Sequence, residues 1–179
     1  MIDIGVHVID LSWYLMGKPK VVSVSGNTYN RLGNRSHIEN KSFYKAADYD
    51  PEHNTVEDMV NALIRFENGA SIMIDASFSL HAKGDSGELK VFGEKGGAEI
   101  DPRLNLTTER HNTILNMTPE IDAAAFDMMD GFQNEIDHFV DCVKGETETI
   151  APVNDGVEIM KILAGIYESA KTGKEVYLD

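Results

Sequence analysis

Between Val56 and Leu80 the sequence VEDMVNALIRFENGASIMIDASFSL alternates apolar and polar residues on both sides of a turn. Val60, Ala62, Ile64 and Phe66 share one face of a strand predicted over 56–66. Ile72, Ile74, Ala76 and Phe78 repeat that period in a return strand over 71–80, and Glu67-Asn68-Gly69 between them supplies the positive-φ chemistry of a tight hairpin. Two half-buried antiparallel strands joined this closely require a sheet with an apolar face, so everything else in the chain must either extend that sheet or cover it.

Extension is visible on both sides. Lys20 to Tyr29 reads as a strand, with Val22 and Val24 alternating against Ser23 and Ser25. Glu88–Phe92 and Ala98–Ile100 flank Gly93-Glu94-Lys95-Gly96-Gly97 as a second hairpin, and 104–110 with 113–116 form a third. Residues 31–53 carry turn residues and no clear period, which marks a long excursion from the sheet.

Cover comes from three helical patterns. In the opening residues, Ile4, Val8, Leu11 and Leu15 make an apolar stripe, and Asp3, His7, Asp10 and Tyr14 a polar one. This helix is expected to stop at Met16, with Gly17 as a left-handed cap and Pro19 preventing resumption. From about 123 to 143, Phe126, Met129, Phe132, Ile136, Phe139, Val140 and Val143 recur at spacings of three and four before Gly145. Pro152 to Thr172 repeats the pattern, with Asn154 or Asp155 as N-cap, Val157, Met160, Ile162, Leu163, Ile166 and Ala170 as core, and Gly173 as C-cap. A short strand over 175–178 closes the chain. The fold class is α+β: an open, mostly antiparallel sheet with helices packed on one face, organised as a single domain over 1–179.

A formal charge of −14 argues against nucleic-acid or anionic-membrane partners, both of which need a basic footprint. One cysteine, Cys142, forms no intrachain disulfide, and the chain opens without the basic-then-apolar layout of a signal peptide, so a cytoplasmic setting is expected.

Asp3 and His7 place a carboxylate and an imidazole one helical turn apart. Histidine titrates near working pH and suits a proton acceptor, and a neighbouring carboxylate orients it or holds a substrate hydroxyl. The residues alone leave open that Asp3 merely caps the helix and His7 is a satisfied, partly buried histidine. Glu135, His138 and Cys142 share a helical face, but apolar neighbours and the lack of a second cluster argue against a metal site, and none is expected. Gly93, Gly96 and Gly97 beside Lys95 suggest a phosphate loop only superficially, because no helix follows them. His37, His53, His81 and His111 fall in loops or turns, Asp137 and Asp141 form a solvated edge, and Trp13 and Tyr14 read as core at helical spacing.

Four stretches carry a resemblance to a known family: DIGVHVIDLSWYLMGKP at 3–19, VEDMVNALIRFENGASIMIDASF at 56–78, ELKVFGEKGGAEID at 88–101, and the pair EIDHFVDCVKGE at 135–146 and ESAKTGKEVYL at 168–178. In order and spacing they resemble the C-terminal domain of the Gfo/Idh/MocA oxidoreductases, the glucose-fructose oxidoreductase and inositol dehydrogenase family. The resemblance implies a two-domain enzyme in which a Rossmann domain holds NAD or NADP and the second domain completes the substrate site. The family's catalytic aspartate and histidine, four residues apart, match Asp3 and His7; its lysine, in a Glu-Lys-Pro motif of the first domain, has no counterpart here. The expectation is a truncated substrate-binding and oligomerisation domain of an NAD(P)-dependent dehydrogenase acting on a sugar, inositol or related polyol. It would bind no cofactor alone, with no cofactor-binding residues in this chain, and would self-associate through its sheet face. The alternative is a non-enzymatic dimerisation or protein-interaction module derived from that domain.

Overall fold

The computed structural model describes residues 2–34, 50, 53–81, 87–101, 103–120 and 128–179. Most of the 31–53 excursion, together with His37 and Phe126, lies outside the described residues. The fold is α+β, and the described residues form three helices and two four-stranded antiparallel sheets in place of the one continuous sheet expected. The chain divides into two compact units, residues 1–82 with 154–179 and residues 83–153.

The first unit contains helix α1 (Ile4–Leu15), strands β1 (Val21–Tyr29), β2 (Met59–Phe66) and β3 (Ser71–Ser77), and, past the second unit in the chain, helix α3 (Val153–Thr172) and strand β8 (Val176–Tyr177). Its sheet runs β3-β2-β1-β8. The hairpin that the alternation implies is present, with Val60 opposite Ala76, Ala62 opposite Ile74 and Ile64 opposite Ile72, and Gly69 supplies the positive φ at +83°. Paired residues in an antiparallel ladder share a face, so one side of the sheet is apolar by construction. That side joins Ile9 and Trp13 of α1 and Ile159, Ile162, Leu163 and Ile166 of α3 in a single buried core.

Strand β1 departs from simple alternation. The buried valines are Val21 and Val24, and Val22 is half-buried, because an irregularity between Val21 and Ser23 inserts an extra residue and returns both to the core side. Phe78 does not continue the buried row of β3: the strand ends at Ser77, and the phenyl ring is 52% exposed. In α3 the helix starts at Val153, so Asn154 and Asp155 sit in the first turn and not at the cap. Ile162, Leu163 and Ile166 are buried as expected, whereas Val157 and Met160 are exposed and Ile159 takes their place. The glycine caps stand: φ is +79° at Gly17, +77° at Gly145 and +66° at Gly173.

The second unit is a meander of β4 (Leu89–Gly93), β5 (Gly96–Asp101), β6 (Asn105–Arg110) and β7 (Thr113–Met117), in that spatial order, with helix α2 (Met128–Lys144). Val91, Ala98, Leu106 and Met117 lie in register across it and define its apolar face. The β4–β5 hairpin turns at Glu94-Lys95, and Gly96 and Gly97 belong to β5. A Cβ on Gly96 would fall on the Thr107 carbonyl oxygen, and one on Gly97 would come within 2.9 Å of the Val91 carbonyl oxygen, so these glycines let the strands approach. Helix α2 forms as its period predicts, but Met129, Phe132, Ile136, Phe139 and Val143 are each more than half exposed. No helix among the described residues is long and apolar enough to cross a membrane.

Candidate functional site

Helix α1 buries one face and offers the other. Gly5, Ile9, Ser12 and Trp13 are its buried residues, one position round from the stripe the sequence suggests; Ile4, Leu11 and Leu15 stay 41–44% exposed. The Trp13 indole N–H donates to the Pro19 carbonyl at 2.8 Å, and the Ser12 hydroxyl to the Val8 carbonyl at 2.7 Å. Lys18, just past the Gly17 cap, forms an ion pair with Asp155 of α3, and its ammonium lies 5.4 Å from the Tyr14 ring centroid and 6.0 Å from that of Trp13. Trp13 is core, as expected; Tyr14 is not, being 51% exposed under that lysine.

With its other side anchored, α1 presents Asp3, His7, Asp10 and Tyr14 to solvent along one stripe. Asp3 is the N-cap residue by position, at φ −94° and ψ −68°, and its side chain makes no cap hydrogen bond. His7 is exposed. Neither bland alternative fits: the carboxylate does not serve as a cap, and the histidine is not buried. A carboxylate and an imidazole on one open helical face, one turn apart, are free to engage a hydroxyl together.

Asp3 also lines a crevice between the start of α1 and the end of β3, together with Ile4, Val56, Ala76 and Phe78. Glu57 and Asp58 form part of the same wall, and sequence reasoning missed both. Asp58 is 2% exposed, and one of its carboxylate oxygens accepts the backbone N–H groups of Arg31, Leu32 and Gly33, the last at 3.0 Å. Its own N–H donates to the Tyr29 carbonyl at 2.8 Å, and its carbonyl accepts the Ser77 hydroxyl at 2.6 Å. A buried carboxylate is tolerated where several N–H groups replace its water. The signal available in the sequence is a charged pair, Glu57-Asp58, placed directly before an apolar strand. Glu57 accepts the Tyr167 hydroxyl of α3 at 2.8 Å. Burial pushes the Glu57 carboxyl up, and the hydrogen bonds it accepts, that of Tyr167 among them, more than reverse the push.

The remaining candidates resolve into structure. The His138 ring Nε2 accepts the Ile150 N–H at 3.2 Å and lies 3.6 Å from Cys142 Sγ, so it ties the segment after α2 back to that helix. Among the described residues no group of three or more His, Cys, Asp or Glu side chains is arranged to hold a metal ion. His53 pairs with Asp50 at 2.7 Å, His81 is exposed, and His111 sits in the β6–β7 turn at φ +53°. Asp137 accepts the Gln133 amide, and Asp141 pairs with Lys144.

Comparison with known proteins places the chain in a family. A family model described as "Oxidoreductase family, C-terminal alpha/beta domain" matches residues 1–178. D-glucoside 3-dehydrogenase of Escherichia coli (strain K12) is 30% identical over 99% of this chain and 48% of its own length. Among solved structures, aldose-aldose oxidoreductase from Caulobacter crescentus complexed with glycerol aligns at a TM-score of 0.69 and 23% identity, covering 98% of this chain and 46% of its own. Levoglucosan dehydrogenase in complex with NADH and L-sorbose aligns at 0.76 and 19%, covering 99% and 49%. These two show the fold. The chain spans about half the length of the relatives it matches.

Proposed function

Because the chain belongs to the Gfo/Idh/MocA oxidoreductase family as its C-terminal alpha/beta domain, we propose that it supplies the substrate side of an NAD(P)-dependent dehydrogenase acting on a hydroxyl of a sugar, inositol or related polyol. The observation that carries this reading is the exposure of Asp3 and His7 on one face of α1, with Asp3 lining a crevice. The name of the E. coli relative supports a glycoside as substrate.

In the proposed reaction the hydroxyl proton passes to the His7 imidazole; NAD(P)+, when bound, would supply the acceptor for the hydride that leaves the carbinol carbon as it becomes a carbonyl. The Asp3 carboxylate, one turn earlier, faces the imidazolium that develops and steadies it, and it holds an adjacent hydroxyl. The Gly93–Gly97 stretch does not fit the phosphates of a dinucleotide: it is a strand hairpin whose glycines lie against neighbouring backbone, with no helix N-terminus behind it. NAD(P) is held, on this proposal, outside these residues. A cytoplasmic setting, consistent with a single cysteine, belongs to the same proposal.

The test is complementation in trans. The cofactor-binding half of D-glucoside 3-dehydrogenase is mixed with this chain, and glucoside-dependent NADH formation is followed by absorbance. The reading expects activity absent from either half alone and reduced about 100-fold or more by His7→Ala. Restored activity indifferent to His7→Ala would sink it.

The non-enzymatic alternative draws on the face of the first sheet turned away from α1 and α3, where Met73 is 86% and Tyr177 73% exposed. We propose that this face pairs with a second copy of the chain. Self-association is compatible with either reading.

A further inference from the structure

Phe78 stands out among the exposed aromatic residues because the fold works to hold it there. It follows the last residue of β3 and is 52% exposed, yet both neighbours are tied down: the Ser77 hydroxyl donates to the Asp58 carbonyl at 2.6 Å, and the Ser79 N–H donates to Ser77 Oγ at 3.1 Å. The tip of the ring meets Gly33. A Cβ at that glycine would come within 3.3 Å of Phe78 Cζ and onto the Asn54 amide, so a larger residue there would displace one or both of those side chains. Gly33 is in turn the third of three consecutive N–H donors to the buried Asp58 carboxylate. Asp58 therefore acts on both sides of the contact, its backbone carbonyl on the Ser77 hydroxyl next to Phe78 and its carboxylate on the turn against which the ring tip rests. The part of the ring left open lines the crevice that also contains Asp3.

A rigid aromatic surface beside a carboxylate is the pairing a pyranoside ring needs. Its axial C–H groups form a weakly polar face that packs on an aromatic ring, and its equatorial hydroxyls donate to carboxylate oxygens. An acyclic polyol has the hydroxyls without the flat face.

We propose that Phe78 is a substrate-binding residue that stacks against the C–H face of a cyclic sugar whose hydroxyls reach Asp3, with Asp58 as the positioning residue that holds the ring in place. The inference rests on the substrate-side reading above and deepens it by naming a ring-shaped substrate and the surface that selects it.

Saturation-transfer NMR and affinity titration on the intact chain test this, with methyl β-D-glucoside as the cyclic probe and sorbitol as the acyclic one. The expected result is saturation transfer to the glucoside ring C–H protons, affinity for the glucoside lowered about tenfold in Phe78→Ala, and affinity retained in Phe78→Trp. Sorbitol affinity is unchanged in both variants. Phe78→Leu, which keeps an apolar side chain at this position but no flat face, is expected to be folded by circular dichroism and to lose glucoside affinity as Phe78→Ala does. Glucoside affinity indifferent to Phe78→Ala and Phe78→Leu overturns this inference while leaving the dehydrogenase reading intact. Loss of glucoside and sorbitol binding together overturns the stacking role in favour of a structural one. Failure of the wild-type chain to bind either probe overturns the stacking surface, whereas the dehydrogenase reading is decided separately by complementation.

Discussion

Tyr167 links α3 to the segment before β2 through the hydrogen bond its hydroxyl donates to Glu57. Burial pushes the Tyr167 phenol up, and the Glu57 carboxylate that accepts its proton pushes it further in the same direction. A raised folded-state value means that the phenol contributes stability at every pH below the ordinary tyrosine range, and that this contribution is lost as pH rises through the folded value. The affected window opens above about pH 10, where unfolded tyrosine begins to ionise. Ultraviolet titration to pH 12 should show this residue missing from the ordinary tyrosinate wave of the chain's six tyrosines. The amplitude of that wave should be the same in Tyr167→Phe; a smaller amplitude in the variant would show that Tyr167 titrates normally.

At the scale of elements, the packing of α3 on β1 depends on a missing side chain. Gly26 lies in β1 with its N–H donated to the buried Ser169 hydroxyl at 3.0 Å. A Cβ there would meet Ile166 Cγ2 at 2.9 Å, Ala62 Cβ at 3.0 Å and the Asn61 carbonyl oxygen at 3.0 Å. Two of those atoms belong to the sheet itself and have little room to move. Gly26→Ala is therefore expected to cost about 1–3 kcal/mol through overpacking, despite alanine's lower backbone entropy cost, and chemical denaturation measures it directly. A neutral or stabilising result would show that α3 shifts away from the sheet without penalty. Helix α1 illustrates a different element-level point: its ion pair from Lys18 to Asp155 and the Trp13–Pro19 hydrogen bond fix which face is buried, and thereby which face carries Asp3 and His7 outward.

For the molecule as a whole, the open face of the first sheet is the feature that bears on assembly. Met73 and Asp75 of β3, Leu63 and Arg65 of β2, and Ser23 and Ser25 of β1 share it by register. Glu175 accepts both the Ser23 hydroxyl and the Arg65 guanidinium at 2.6 Å, which neutralises charge on that surface and leaves Met73 as its most exposed apolar group. A second copy would bury Met73 around a two-fold axis, where an aspartate in its place would meet its own image. In analytical ultracentrifugation the wild-type chain is expected to sediment as a dimer or larger, and Met73→Asp as a monomer with unchanged circular dichroism. A monomeric wild-type chain, or a variant that still associates, would remove the sheet face from consideration.

Much of this was legible in the sequence because it depends on local periodicity and on backbone chemistry. The 60–66 and 72–76 alternation specifies a hairpin whatever surrounds it, and Gly17, Gly69, Gly145 and Gly173 mark positive-φ positions that other residues adopt only at a cost. The four-residue spacing of Asp3 and His7 likewise places both on one side of any helix that contains them. What surrounds a side chain is not local. Val21 replaced Val22 in the core because a register shift, set by pairing with β2, adds a residue; Ile9 joined the expected Trp13 in place of Leu11 and Leu15 because the sheet meets α1 one position round from its most apolar stripe. Asp58 looked like an ordinary charged residue before a strand. Only the folded chain brings three backbone N–H groups, distant by more than twenty residues in sequence, to its carboxylate, and with them the turn that holds Phe78 beside Asp3. Sequence determined the elements and the helix stripe that carries Asp3 and His7. Tertiary packing decided that this stripe faces outward and which residues stand around it, since burial depends on contacts between segments that no local pattern encodes.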